Sequence, residues 1–78
     1  MIGVILKNMR LSAKMSQVEL SKKLSMADTT ISSYERENSQ ADFDTIVKIS
    51  KICGYEILFK EKNGNVISID EMAKEKDF

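Results

Sequence analysis

Asp28, Thr29, Ser32, Ser33 and Arg36 recur at helical spacing, so on a helix they share one side of it. Their chemistry is hydrogen bonding: short donors and acceptors, one carboxylate and one guanidinium facing outward together. Catalysis has little to work with. The 78 residues include no histidine and one cysteine, Cys53, and they contain no glycine-rich phosphate loop and no paired-carboxylate site. A thiol nucleophile needs a base, so Cys53 reads as a small buried hydrophobe and the chain as a non-enzyme that needs no cofactor or metal. A lone cysteine cannot close an internal disulfide, which makes the reducing cytoplasm the expected compartment. The opening "MIGVIL" is too short and lacks the basic flank expected of a signal peptide or membrane span.

Several elements must hold that polar row in place. Ile2, Ile5, Leu6 and Met9 recur at intervals of three and four, which predicts a helix over about residues 2–13. Ser16 followed by Glu19 forms a capping-box signature and opens a second helix carrying Leu20, Ser21 and Leu24. "SMA" at 25–27 interrupts it. Ala27, Ile31 and Tyr34 then mark a third helix, to about residue 36. Asp42 caps a fourth that carries Phe43, Ile46, Val47, Ile49 and Ile52 and ends at Gly54. After Gly54 the period falls to two. Asn63-Gly64 between β-branched runs predicts a hairpin with a two-residue type I′ turn. That turn would set Leu58 opposite Ile69, Phe59 opposite Ser68 and Lys60 opposite Ile67. One face would then hold Leu58, Ile67 and Ile69, and the other Tyr55, Ile57, Phe59 and Val66.

The predicted architecture is thus mainly α: four helices over residues 1–54, a β-hairpin over 55–70 and a charged, frayed tail over 71–78. The 12 basic and 12 acidic residues cancel, but unevenly. Residues 1–36 hold six Lys or Arg against three acids, and residues 37–78 hold six against nine. The positive half contains the polar row, as modest, salt-sensitive phosphate binding requires.

Two steeply crossing helices need a small residue where they approach, here Ser21. Apolar anchors must fix the angle, here Leu20, Leu24, Met26, Ile31 and Tyr34. With Ile2-Gly3, Arg10, Ser16-Gln17, Glu19-Leu20, Ile31-Ser32, Tyr34-Glu35 and "DTIVKISKIC", the stretch resembles the Cro/C1-type helix-turn-helix proteins over about residues 2–53. The resemblance implies a lambda-repressor-like fold whose third helix, about 28–36, enters the major groove of double-stranded DNA. It implies DNA contacts by Gln17, Asp28, Thr29, Ser32 and Ser33, with Arg36 on the same face and Asn38 near the backbone. Lys22 would add diffuse attraction to phosphate. Arg10 and Glu35 would form a partly buried ion pair tying the first helix to the third.

Some positions depart from the family pattern. Ala27 stands where a capping Ser or Thr is common, which leaves Asp28 to cap the third helix. Ser33 replaces a long basic residue, and Glu37 a helix-ending glycine. The hairpin more weakly resembles the C-terminal β-structure through which antitoxins of the HipB type dimerise. The expected function is a homodimeric transcriptional regulator, a repressor, whose dimer contacts are Tyr55, Ile57, Leu58, Phe59, Val66, Ile67 and Ile69. The alternative is an antitoxin with a protein toxin as partner. No membrane partner is expected.

Overall fold

Four helices end in the same way, and those endings set the angles of the bundle. The computed structural model describes residues 1–75. Helices α1 (Ile2–Ser12), α2 (Gln17–Leu24), α3 (Asp28–Glu35) and α4 (Phe43–Ile52) are each closed by a residue in the left-handed conformation. These residues are Lys14, Ser25, Glu37 and Gly54, with φ of 59°, 55°, 60° and 83°. At each, two consecutive N–H groups donate back to carbonyls in the last turn. Lys14 N–H reaches Leu11 O at 3.0 Å and Met15 N–H reaches Arg10 O at 3.2 Å, and after α4 the pairs are Gly54 to Lys51 and Tyr55 to Ser50. These paired hydrogen bonds, with the left-handed residue, take the chain out of the helix and satisfy carbonyls the helix leaves orphaned.

The helix starts use side chains. Ser16 Oγ accepts from Glu19 N–H at 3.0 Å, and Glu19 Oε1 accepts from Ser16 N–H at 3.1 Å, a reciprocal capping box. Asp42 Oδ1 accepts from Thr45 N–H at 2.8 Å at the start of α4. Helix α3 begins at Ala27 with no side-chain cap.

Each bundle helix sends apolar residues to one core: Leu6 and Met9 from α1, Leu20 from α2, Ile31 from α3 and Ile49 from α4, with Cys53 behind them. Full burial of each large aliphatic contributes roughly 1.5–3 kcal/mol. Ser21, 3% exposed, keeps the α2 surface small. Gly3 is required by a close approach: a Cβ there would lie 2.6 Å from Glu35 O and 2.7 Å from Tyr34 O. The start of α1 thereby rests on the end of α3.

The hairpin pairs β1 (Leu58–Lys60) with β2 (Val66–Ser68), and its register corrects the expected one. Leu58 faces Ser68, Phe59 faces Ile67, and Lys60 faces Val66. The turn explains the shift. Glu61 N–H donates to Asn65 O at 2.7 Å and Gly64 N–H to Glu61 O at 3.0 Å, so Lys62, Asn63 and Gly64 form a three-residue loop. Gly64 alone takes a positive φ, of 100°; the Asn63 carboxamide instead accepts from Asn65 N–H at 3.1 Å. A type I′ turn needs both residues left-handed. The faces are regrouped accordingly. Ile57, Phe59, Ile67 and Ile69 share one side, and Leu58 and Val66 share the other with Lys60 and Ser68.

A fifth helix, α5 (Ile69–Met72), follows at once, capped by Ser68 Oγ, which accepts from Glu71 N–H at 3.1 Å. It begins inside the expected hairpin, at Ile69, and takes up Glu71 and Met72 of the expected frayed tail; residues 76–78 of that tail lie outside the described residues. The hairpin and α5 pack on one another and contribute nothing to the bundle core. Two exposed contacts tie them to it: Tyr55 Oη with Ser12 Oγ at 2.7 Å, and Lys51 Nζ with Asp70 Oδ1 at 3.1 Å. The molecule is elongated, 42 × 23 × 21 Å.

Candidate nucleic-acid interface

Helix α3 presents its polar row at the surface. Asp28, Thr29, Arg36 and Asn38 are exposed, and Ser32 and Ser33 are half-buried. Ile31, 2% exposed, and the buried Glu35 lie on the other side and hold the helix down. Asp28 Oδ1 accepts from Thr29 N–H at 3.0 Å, which steers one carboxylate oxygen toward the helix end. Ser33 Oγ pairs with Ser39 Oγ at 2.9 Å, linking the helix to the segment after it. Lys22 is exposed on the last turn of α2.

Behind the row sits the one buried ion pair among the described residues. Arg10 Nε donates to Glu35 Oε2 at 2.6 Å, and Arg10 Nη2 to Glu35 Oε1 at 2.9 Å. Arg10 Nη1 donates to Met15 O at 2.8 Å. The side chains are 9% and 3% exposed, so the pair is desolvated and held by two parallel bonds. It links α1, the loop before α2, and the last turn of α3. Burial works against the Glu35 charge, but hydrogen bonds from Arg10 and Gln17 and the Arg10 charge outweigh it. Its carboxyl is held below the ordinary carboxylate range. Hydrogen bonding to Glu35 likewise raises the Arg10 pKa against the cost of burial.

Gln17 belongs to this network. Its Nε2 donates to Glu35 Oε1 at 3.2 Å, a bond the sequence reading did not anticipate. An amide nitrogen carries two hydrogens, so one donor remains for an outside acceptor. Gln17 is the first residue of α2, where the first backbone N–H groups have no intrahelical acceptor and the helix dipole is positive. The network thus aims an N-terminal helix end and the polar row from one rigid base.

A second contact was also unforeseen. The Glu37 carboxylate accepts from the Met1 ammonium and, at 3.2 Å, from Gly3 N–H, capping α1 from the end of α3. These hydrogen bonds and the ammonium charge lower its pKa. Partners 34 or more residues apart leave no periodic signal. The hairpin residues are divided: Ile57, Ile67 and Ile69 are half-buried, whereas Leu58, Phe59 and Val66 are 51%, 37% and 54% exposed. Tyr55 is exposed and bonded to α1 through Ser12.

Among the described residues no cluster of His, Cys, Asp or Glu could hold a metal ion, and no helix is long and apolar enough to cross a membrane. Two packed helices joined by a short turn, with an outward polar row on the second, are the architecture of a DNA-binding helix-turn-helix protein. A family model described as Helix-turn-helix matches residues 6–59, all of α2, α3 and α4 and most of α1. The chain belongs to that family, the Cro/C1-type or XRE helix-turn-helix proteins, whose members are DNA-binding transcription regulators. No curated protein and no solved structure matches it.

Proposed function

We propose that the protein is a sequence-specific regulator that binds double-stranded DNA as a homodimer and represses by occupying its operator. Helix α3 lies in the major groove, where Asp28, Thr29, Ser32 and Ser33 meet base edges. Gln17, Arg36, Asn38 and Lys22 contact or attract phosphate. The observation that carries this reading is the exposed row on α3, fixed from behind by the buried Arg10–Glu35 pair and Gln17. So mild a reading face makes few strong contacts, and two copies on one operator double them. The hairpin, standing outside the bundle core with Leu58, Phe59 and Val66 exposed, serves as the dimerisation element. Residues 1–54 then form the DNA-binding unit, working in the cytoplasm. In vitro selection from random duplexes at low salt tests this, with enrichment of paired half-sites about one helical turn apart as the expected result. No enrichment at any salt concentration refutes it.

The same exposed hairpin favours a second reading, in which it docks a toxin and the protein is an antitoxin that also represses its own promoter. A defined protein partner whose binding is abolished by truncation after Gly54, with DNA selection retained, distinguishes it.

A further inference from the structure

The free edge of β1 carries a self-complementary pattern. Ile69 N–H donates to Ile57 O and Glu61 N–H to Asn65 O, on the same register that sets Phe59 opposite Ile67. Residues 57, 59 and 61 therefore direct their backbone groups toward β2. Those of Glu56, Leu58 and Lys60 point the other way, out of the sheet, because the ladder alternates. β1 packs on β2 and α5, and the Glu56, Leu58 and Lys60 side chains are all exposed.

We infer that this edge pairs antiparallel with β1 of a second copy, about a two-fold axis through Leu58, giving one four-stranded sheet across the homodimer. The inference rests on the homodimer reading and adds the surface and its register. Centred on Leu58, the pairing sets Glu56 opposite Lys60 of the second copy, and the reverse, so two opposite-charge pairs flank the axis. Leu58 meets Leu58, and Ile57 meets Phe59. The outward backbone groups also match: Leu58 with Leu58 and Glu56 with Lys60 fall at hydrogen-bonded positions, as those three residues require.

Neighbouring registers lose this agreement. Centring on Phe59 sets Leu58 against Lys60 and Ile57 against Glu61. Centring on Lys60 brings two lysines face to face. The β2 edge is poorer, since Val66–Ser68 offers no charge pair and runs straight into α5. Joining two β1 edges also makes the Ile57, Phe59 and Ile67 faces continuous and removes an unpaired edge that would otherwise template aggregation.

The test is charge reversal read by analytical ultracentrifugation of the full chain. Each of E56K and K60E turns both flanking pairs repulsive and should raise the dimer dissociation constant by roughly tenfold or more. The double variant E56K/K60E has the wild-type net charge and should restore dimerisation. Mixing the two single variants should also restore it, because the pairs are then complementary between chains. Both positions are exposed, and unchanged helical circular dichroism checks that the variants fold. A wild-type dimer that neither single variant weakens, or that the double variant does not recover, overturns this register while homodimerisation stands. A wild type that is monomeric at every concentration removes the homodimer reading itself.

Discussion

Arg10 and Glu35 show how one buried charge pair can serve a surface it does not reach. The pair is fully hydrogen-bonded and shares Glu35 with Gln17, so the helix that would meet DNA and the helix end that would meet phosphate rest on one carboxylate. Replacing Arg10 alone with Met leaves Glu35 buried and unpaired and should cost about 3–5 kcal/mol in urea unfolding. The double variant Arg10→Met/Glu35→Leu should recover most of that loss, since an apolar pair of similar volume carries no desolvation cost. The pH dependence follows from the same group. Glu35 has its pKa depressed in the folded state, so its stabilising share is complete above the unfolded carboxylate value of about 4. That share is lost as pH falls through the lower folded value. Glu19, Glu37 and Asp42, lowered by hydrogen bonds to Ser16, the N-terminal ammonium and Thr45 respectively, titrate in the same direction. Thermal unfolding should therefore show a plateau above about pH 5 and a decline below about pH 4. At the surface, Asp28 offers only acceptors. In the major groove it should favour a cytosine amino group, and Asp28→Asn should broaden the base selected at that one position.

At the scale of elements, turn chemistry decides more than periodicity does. Lys14, Ser25 and Glu37 occupy left-handed helix ends that glycine suits better. Ser25→Gly should stabilise by about 1 kcal/mol and raise the melting temperature by roughly 4–8 °C, because only the strain is removed. Glu37→Gly should gain less or lose, since the Glu37 carboxylate also caps α1. Helix positions were legible in the sequence because Leu6, Leu20, Ile31 and Ile49 recur with the helical period and Ser16 and Asp42 mark two starts. The hairpin was legible as a hairpin, but its register was not. Asn-Gly supports either a two-residue turn or the three-residue loop adopted, and the Asn63 side chain, bonding Asn65 N–H, favours the latter. One residue of difference moved Ile67 and Ile69 to the side of Phe59. The short α5 was hidden by its charged composition and becomes visible only through Ser68 as a cap. Of the interface, the outward row on α3 could be read from spacing. The Gln17–Glu35 bond and the Glu37 clasp join residues distant in sequence and could not.

For the whole molecule, the zero net charge is the sum of two unlike halves. The surplus of basic residues lies in residues 1–36, with the α2 start and α3, while the acidic surplus lies in residues 37–78, with the hairpin and α5. Binding should be salt-sensitive, with log K falling against log salt at a slope of about 0.9 per phosphate contacted, twice as steep for a dimer as for one copy. The molecule is elongated, and the hairpin proposed as the dimer contact lies outside the bundle core. The most direct measurement is in vitro selection of random duplex DNA by the full chain, followed by a salt titration on the selected site. The predicted result is a two-fold symmetric site, with half-sites about one helical turn apart and a steep negative salt slope. Selection of no sequence, with no binding even at low salt, would contradict the account.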